Sequence, residues 1–570
     1  MELIIKNSSV AIGFARLAIR ALESGDQPHE FLTWVSAING ELYNQKKIES
    51  QLSVSSPPDG DMQILGQYLS EYGIEAIANA DGMFAGFLID QTNRKLHIFR
   101  DKVGEKPLYY RLSEDHIEVM SENAFDDSYI PDHKSNTKKA LLGFLPDKSK
   151  YVNGVQRVTP GSYITFDLDT FGSEEKRYWE WPTRPNRYKG KSITDLRLFK
   201  KFLYASVESR LAADVPISSL LSGGIDSAVI TKVAQDILGY PLPAFTLGFK
   251  NSNYDESRVA RLSAKAIGCE LEIVEIDSKT LSRLTPLCIE SMTEPILDTA
   301  CLSLFALGQV VSKNFKVALT GDGGDELFQG YSLFKNLRSM ELARKTSRLS
   351  RLLLQLTLTL PALRFRESYI SQTMKVERVI SILKHYELNP IALALSPLGG
   401  TKLIDNVIGT LSSDFSDSLR FSPEHFSARY LENYYRAEIL PHLYLEKADR
   451  MSMIHGLELR APFLSPQLIE FASQVSQNQI QTGKRKILIR QFAEEFLPSE
   501  VLNAKKHGFS PPLLEIVKHL EEPDWNLEYL GLTEEVLSRN WESALAGNQN
   551  ASYAAWATLV LNSFSNKLIS

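Results

Sequence analysis

Residues 216–227 read PISSLLSGGIDS, and this stretch decides the fold of the C-terminal part of the chain. The apolar run Pro216–Leu221 predicts a buried strand, and a helix is predicted directly after it, over Asp226–Leu238. The two glycines between them let the backbone approach a bound group closely, and the helix N-terminus points N–H groups at an anion. The hydroxyls of Ser222 and Ser227 can add hydrogen bonds. The stretch therefore predicts a phosphate-binding loop; the alternative is a tight turn that merely needs glycine.

The segments that follow alternate between strand and helix. The candidate strands are Pro216–Leu221, Leu242–Leu247, Leu271–Ile276 and Phe315–Thr320, and the candidate helices are Asp226–Leu238, Asp255–Ile267 and roughly Leu302–Val311. Strands separated by helices of this length predict a parallel sheet covered on both faces. Beyond Tyr331 the periodicity is helical, and no further strand is predicted.

A second motif, GDGGDELF, begins at Gly321, directly after the last candidate strand. In a doubly wound sheet, ligands gather at the carboxyl ends of the strands, so this loop is expected to face the first one. Carboxylates beside a phosphate site are reasonable as Mg²⁺ ligands and as an acid or base, since without a metal they would repel a nucleotide. Asp226 and Asp325 are the predicted metal ligands. A solvated acidic turn is the alternative.

Two further segments carry charged residues at motif-like spacing. The first, LEKADRMSMIHGLELRAPFL, spans residues 445–464, and its charges could equally lie on a solvated helix face. The second comprises the basic clusters of residues 484–490 and 504–509, which could bind phosphate or lie on the surface. His455 and His507 have no metal-ligand companion, which favours structural or surface roles.

The N-terminal part has a different pattern. Residues 1–170 are predicted to form short alternating strands, with one helix over Asn136–Leu145. Residues 171–191 are polar, aromatic and proline-bearing, which predicts a linker. A capping box, Ser192–Asp195, then predicts the start of the C-terminal domain, residues 192–570.

Length, composition and charge exclude several classes of protein. The chain has 570 residues, enough for two to four domains, with 43% hydrophobic and 23% charged residues. Its net charge of −6 argues against nucleic acid or an anionic membrane as the main partner. No apolar run is long enough to cross a bilayer, no signal peptide is visible, and only three cysteines occur. These features predict a cytoplasmic protein without a disulfide framework.

Taken together, the motifs resemble asparagine synthetase of the glutamine-dependent B type, from about Phe14 to about Pro512. LSGGIDS looks like the family's pyrophosphatase loop, LTGDGGDELFQGY like its second ATP loop, and KKHGF like a later block. In the N-terminal half, RLAI at Arg16, NGELYN at Asn39 and FRDKVGEKPLYY at Arg100 resemble the glutaminase domain. The resemblance implies an α/β protein. It would have a truncated, glutaminase-like Ntn-type αββα domain and a PP-loop ATP pyrophosphatase-type, doubly wound parallel sheet with a helical extension.

The implied reaction is ATP-dependent amide formation: a small carboxylate becomes an acyl-adenylate, and ammonia or an amine displaces AMP. The implied cofactors are ATP and Mg²⁺, and a homodimer is a possible assembly. The implied site residues fall into four groups: catalytic Asp322, Glu458 and Lys506; ATP-binding Leu221, Ser222, Gly223, Gly224, Asp226, Ser227, Leu247 and Gly321; Mg²⁺-binding Asp226 and Asp325; and a remnant of the glutamine loop, Arg16, Asn39, Gly40 and Glu41.

One departure from the family pattern bears on function. The family's glutaminase nucleophile is an N-terminal cysteine, whereas here residue 2 is Glu2 and the first cysteine is Cys269. We therefore expect a truncated glutaminase domain and no hydrolysis of glutamine. Smaller departures, Asp322 in the second loop, Ser465 and Ala504, could reshape the acceptor pocket. Two alternatives stay open: a synthetase that closes β-lactam or macrolactam rings with an internal amine, and a nucleotide-binding pseudoenzyme.

Overall fold

The computed structural model gives two domains, each with its own sheet. The structure describes residues 2–5, 8–54, 56–123, 133–145, 154–182, 192–249, 254–331, 388–410, 428–474, 485–504 and 509–566, with a few single residues outside these ranges. Most of the predicted helical extension, between residues 332 and 440, lies outside them.

The N-terminal domain is built on an antiparallel six-stranded sheet of order β11-β10-β6-β5-β4-β3. A three-stranded sheet, β8-β7-β9, and a two-stranded one, β1-β2, complete it. The strands are β1 Glu2–Ile5, β2 Ser8–Ala11, β3 His29–Phe31, β4 Trp34–Leu42, β5 Gly82–Asp90, β6 Lys95–Arg100, β7 Tyr109–Leu112, β8 Ile117–Met120, β9 Gln156–Arg157, β10 Ser162–Asp167 and β11 Ser173–Arg177.

Two hydrophobic cores cover the two faces of this sheet. On one face, Phe84 and Phe99 pack against helix α2, Asp61–Tyr72. On the other, Ile98 and Ile164 pack with residues of the small sheet around Tyr110. The alternating strands predicted for residues 1–170 are therefore observed.

The C-terminal sheet is parallel, with strand order β14-β13-β12-β15-β16. Its strands are β12 Ile217–Leu220, β13 Pro243–Phe249, β14 Glu270–Ile276, β15 Val317–Leu319 and β16 Glu458–Arg460. In chain order, β13 and β14 follow on one side of β12, and β15 and β16 then follow on its other side. The order therefore reverses between β12 and β15, as in doubly wound sheets.

Helices cover this sheet and build the rest of the domain. The described α-helices of the chain are α1 Gln45–Glu49, α2 Asp61–Tyr72, α3 His133–Leu142, α4 Ser192–Arg210, α5 Ile225–Leu238, α6 Ser257–Ile267, α7 Ser278–Glu290, α8 Ala300–Val311, α9 Gly324–Phe328, α10 Pro390–Leu395, α11 Leu403–Gly409, α12 Ala428–Asn433, α13 Leu445–Met453, α14 Pro466–Gln474, α15 Ile487–Ala493, α16 Ser499–Leu502, α17 Leu513–Val517, α18 Glu534–Leu545 and α19 Gln549–Asn566. A π-helix, Tyr434–Tyr444, leads into α13, and 3₁₀ turns lie at Ile74–Asn79, Pro462–Leu464 and Glu528–Leu530.

The structure differs from the sequence-based expectation in several elements. Residues 1–170 contain helices α1 and α2 in addition to the one helix expected there, which spans His133–Leu142 rather than Asn136–Leu145. Strand β16 was not expected, because its residues Glu458-Leu-Arg460 carry two charges that ion pairs bury. Helix α7 was also not expected, since it contains Pro286. Residues 173–177, predicted as linker, form the exposed edge strand β11 of the N-terminal sheet. No helix among the described residues is long and apolar enough to cross a membrane.

Candidate active site

Two glycine-rich loops meet where the strand order of the C-terminal sheet reverses. Loop Ser222–Ser227 follows β12, and loop Gly321–Asp325 follows β15, its neighbour in the sheet. A Cβ atom added at Gly321 would lie 2.7 Å from the backbone nitrogen of Ser227, so only glycine permits this approach. The sheet therefore brings together the two motifs that the sequence singled out.

The serine hydroxyls of the first loop bond within the loop. Ser222 Oγ lies 3.0 Å from Ser227 Oγ and accepts from the N–H of Gly224 at 3.1 Å. Ser227 Oγ also accepts from the N–H of Ser222 at 3.1 Å. These hydroxyls thus fix the shape of the loop, whereas the sequence predicted that they would add bonds to a ligand.

The strongest charged contact of the site involves a residue that the sequence did not assign to it. The ammonium of Lys486 lies 2.5 Å from Asp226 Oδ2 and 2.6 Å from Asp325 Oδ1. Lys486 is only 8% exposed, and it adopts a positive φ of 53° directly before helix α15. The only sequence signal was its place in a basic cluster next to a helix. The two predicted metal ligands therefore converge on one cation.

A cavity of about 500 Å³ opens beside these residues, and we call it the C-terminal cavity. Its lining includes Ser222, Asp226, Ser227, Asp298, Gly321, Asp322, Asp325, Glu326, Tyr331, Tyr444, Lys447, Leu459, Arg485 and Phe509. Within it, the carboxylate of Asp322 accepts from Thr320 Oγ1 at 2.9 Å. Five of the predicted nucleotide and metal residues, together with Asp322, thus share one wall of a single cavity.

The lining of the same cavity also contains a lysine–aspartate pair. Lys447 Nζ lies 2.7 Å from Asp298 Oδ2, and the Lys447 ammonium sits 5.2 Å from the ring centre of Tyr444. Burial opposes the charge, but the Asp298 carboxylate outweighs it and raises the pKa of Lys447. Lys447 therefore stays protonated in the cavity. The sequence left open whether its motif lies on a solvated helix face; the structure instead places Lys447 in the lining of this cavity.

Glu326 is a buried acid at the same site. Burial, with the neighbouring charge of Asp325, raises the pKa of Glu326 to about 7. Its carboxylate accepts a hydrogen bond from the hydroxyl of Tyr331. Among the described residues, no group of three or more His, Cys, Asp or Glu side chains is arranged to hold a metal ion. Any divalent cation here would therefore need ligands from a bound substrate as well as from protein.

A second cavity, of about 490 Å³, lies in the N-terminal domain, and we call it the N-terminal cavity. All four residues of the predicted glutamine loop line it: Arg16, Asn39, Gly40 and Glu41. Glu41 is 4% exposed, and burial raises its pKa well above the usual range. Its carboxylate lies 3.1 Å from the guanidinium of Arg460 in the C-terminal sheet. This loop therefore contacts the other domain.

Glu458 lies in the wall between the two cavities. Its side chain lines the N-terminal cavity, whereas the next residue, Leu459, lines the C-terminal one, as strand alternation requires. In the same way, Asp449 faces the N-terminal cavity, and Ala448 faces the other. The sequence grouped Glu458 with Asp322, but the structure places the two carboxylates on opposite sides of this wall.

Four other predicted residues, Leu221, Gly223, Gly224 and Leu247, are not among those that line the C-terminal cavity. The side chains of Leu221 and Leu247 are buried in the two hydrophobic cores, so only their backbone could meet a nucleotide. Lys506 lies outside the described residues, as does His507. His455 packs against Phe305 with ring centres 4.5 Å apart, in agreement with a structural role.

Comparison with known proteins covers both domains. The family model described as Asparagine synthase matches residues 198–565, and the one described as Glutamine amidotransferase domain matches residues 2–179. Asparagine synthetase [glutamine-hydrolyzing] 1 of Bacillus subtilis is 31% identical over 549 residues, covering 90% of this chain and 82% of that protein. A putative asparagine synthetase [glutamine-hydrolyzing] of Mycobacterium bovis is 27% identical, covering 92% and 83%.

A solved structure is also detectably similar, but only weakly. The glutamine phosphoribosylpyrophosphate amidotransferase of B. subtilis aligns at 16% identity over 43% of this chain and 48% of that chain, with a TM-score of 0.19. That superposition is too weak to bear on either domain.

Proposed function

The chain belongs to the asparagine synthase family and is an ATP-dependent ligase that forms amides; we propose that its acceptor is L-aspartate and its nitrogen donor ammonia. The acceptor is proposed because the two relatives described above are named asparagine synthetases. The observation that carries the proposed chemistry is the convergence of Asp226 and Asp325 on one buried cation, between two glycine loops at a topological switch point.

We assign the phosphates of ATP to this place. The backbone of loop Ser222–Ser227 and the N-terminus of helix α5 favour an anion. Lys486 would meet the negative charge of the departing pyrophosphate. The carboxylates of Asp226 and Asp325 would hold Mg²⁺, because both already reach a single cation within 2.6 Å and Mg²⁺ is commonly held by one or two carboxylates plus phosphate oxygens. When bound, Mg²⁺ neutralises charge on the phosphates.

The first step joins the acceptor carboxylate to AMP. A carboxylate oxygen attacks the α-phosphorus, the bond from that phosphorus to the β-phosphate bridging oxygen breaks, and pyrophosphate leaves. Lys447, which Asp298 keeps protonated and which lines the same cavity, is suited to orient an anionic acceptor. Positioning of the two reactants can supply much of the acceleration of such a step.

The second step needs a nitrogen nucleophile and a proton acceptor. Ammonia attacks the acyl carbon, AMP leaves with the bonding pair of the carbon–oxygen bond, and a carboxylate takes the nitrogen proton. Asp322 lies in the C-terminal cavity and Glu458 on the N-terminal side of the wall, so we assign Asp322 to the reacting nitrogen and Glu458 to its approach. Lys506 remains a candidate from the resemblance alone.

ATP–pyrophosphate exchange tests the first step, and product analysis tests the acceptor. Purified protein with ATP, Mg²⁺ and L-aspartate should exchange labelled pyrophosphate into ATP, and adding ammonium chloride should yield asparagine and AMP in equal amounts. Exchange with a panel of other carboxylates but none with aspartate would overturn the acceptor. Absence of exchange with every carboxylate would support a nucleotide-binding pseudoenzyme. A cyclic product formed without ammonium would indicate an internal amine.

A further inference from the structure

A lysine of the N-terminal domain reaches the wall between the two cavities. Lys106 Nζ lies 2.8 Å from Asp449 Oδ1 and 4.0 Å from Glu458 Oε2, and the side chain is 2% exposed. Both of these carboxylates belong to the C-terminal domain and line the N-terminal cavity. The ammonium of Lys106, from the N-terminal domain, therefore neutralises the charge of two carboxylates that the C-terminal domain supplies.

The turn that carries Lys106 is fixed by two buried side chains. The carboxylate of Asp101 accepts four backbone N–H bonds, from residues 103 to 106, at 2.7 to 3.1 Å. The guanidinium of Arg100 donates to the carbonyls of Lys106, Gly104 and Val158. These seven hydrogen bonds hold the turn of the FRDKVGEKPLYY motif in one conformation and so fix the backbone that carries Lys106.

Glu458 is also held on its other oxygen. Arg460 Nε donates to Glu458 Oε1 at 2.8 Å, and the fully buried guanidinium is anchored by the carbonyls of Arg210 and Ala212 at 2.9 and 2.8 Å. One oxygen of Glu458 therefore faces Arg460, and the other faces Lys106. With the lysine removed, the second oxygen would lose its nearest cation, and the side chain would be free to turn away.

We propose that Lys106 is a positioning residue for amide formation: it holds Glu458 and Asp449 in place on the wall that the attacking nitrogen passes. The inference rests on the ligase function proposed above and adds a role for the N-terminal domain that requires no hydrolysis of glutamine. The synthetase reaction of this chain would then depend on the N-terminal domain even when ammonia is supplied directly.

Lys106→Met tests this role, with Lys106→Arg as the conservative variant. The two half-reactions are measured separately, as ATP–pyrophosphate exchange with aspartate and as ammonium-dependent formation of asparagine. Lys106→Met should keep exchange within about twofold of the wild type. It should lower kcat/KM for ammonium by about tenfold or more, because Glu458 and Asp449 would no longer be held in place along the approach of the nitrogen, and a misplaced group near the reacting atoms can cost about 100-fold. Lys106→Arg should restore most of the loss.

Lys139→Met is the matched control. Lys139 is another buried lysine of the N-terminal domain, 3.1 Å from Glu294 of the C-terminal domain, and it lines neither cavity. Its replacement should disturb domain contact to a similar extent while leaving kcat/KM for ammonium within about twofold. An equal loss in Lys139→Met, a parallel loss of exchange in Lys106→Met, or an unchanged ammonium dependence in Lys106→Met would overturn the positioning role. A wild-type chain without exchange would contradict the ligase function instead.

Discussion

Lys486 and Asp226 form a buried ion pair across the C-terminal domain: Nζ and Oδ2 lie 2.5 Å apart, although the two residues are 260 positions apart in the chain. A Cβ atom at Gly330 would lie 2.1 Å from Lys486 Cε, so the lysine stem passes against bare backbone. The pair ties the helical C-terminal part of the domain to the first glycine loop. Lys486, Asp226 and Asp325 therefore form one charged unit between the two glycine loops.

Replacing either aspartate of this unit should abolish adenylation. We expect Asp226→Asn and Asp325→Asn each to lose Mg²⁺-dependent ATP–pyrophosphate exchange, because losing a metal ligand costs several kcal/mol of transition-state stabilisation. Asp236→Asn, in the same helix as Asp226 but facing Lys232, is the matched control and should exchange normally. Wild-type exchange in folded Asp226→Asn and Asp325→Asn would remove both from the metal site.

A second prediction distinguishes two lysines. If Lys486 meets charge that develops on the leaving pyrophosphate, Lys486→Met should lower the exchange rate by about 100- to 1000-fold, with a small change in ATP affinity. Lys506→Ala tests the position that the sequence resemblance favoured, and Lys505→Ala is its neighbouring control. Loss in Lys506→Ala together with a mild Lys486→Met phenotype would return the catalytic role to the KKHGF segment.

The parts of this site that are close together in the sequence were predicted, whereas contacts between residues far apart in the sequence were not. Strands β12, β13, β14 and β15 were all predicted. Strands β13 and β15 are buried apolar runs, as is typical of strands covered on both faces, whereas β14 is partly exposed and carries three glutamates. The loops that follow β12 and β15 were predicted with them. Lys486 could not be assigned, because its partners lie hundreds of residues away and a basic residue before a helix has many uses.

The position of Glu458 could not be predicted, for a different physical reason. Strand β16 has only three residues, and its two charged residues are buried in ion pairs: Glu458 with Arg460 and Lys106, and Arg460 also with Glu41. A hydrophobic pattern cannot identify such a strand. Without the strand, the alternation that separates Glu458 from Leu459 cannot be predicted, and neither can the cavity that the side chain lines.

A buried cluster between the domains predicts a dependence of stability on pH. Arg157 of the N-terminal domain lies 2.8 Å from Glu446 and 3.1 Å from Glu294 of the C-terminal domain. Burial raises the pKa of Glu446 to about 8, even though Arg157 opposes the shift. In the unfolded chain this carboxyl has an ordinary pKa of about 4.3. Folding therefore favours the protonated form, and this contribution to stability is lost as pH rises from about 4 through 8.

Glu446→Gln isolates that effect, because the amide resembles the protonated acid at every pH. The free energy of unfolding of the variant relative to the wild type should rise between pH 5 and pH 8, by at most about 1.4 kcal/mol per pH unit. Other groups, such as His442, whose pKa burial lowers, titrate in both proteins and cancel in the difference. Chemical denaturation of both proteins at four pH values measures it. A difference that is constant with pH would show that Glu446 is ionised in the folded protein.

The last prediction concerns the source of nitrogen. The N-terminal cavity keeps the loop residues Asn39, Gly40 and Glu41, but the chain has no cysteine before Cys269, so no thiol lies among the residues that line this cavity. A thiolate that attacks the glutamine amide has no replacement there. We therefore expect the 570-residue chain to release no glutamate from glutamine, with or without ATP and aspartate.

Ammonium chloride in the same assay should support asparagine formation. This result would show that the protein is active under conditions in which it does not use glutamine. The comparison is informative because Glu41 contacts Arg460 of the other domain, a structural contact of this loop that does not depend on catalysis. Glutamate release above background would contradict the prediction, and a nucleophile other than a thiol would have to act in the N-terminal cavity. Glutamine-dependent asparagine formation equal to that with ammonium would show, in addition, that the two cavities exchange ammonia.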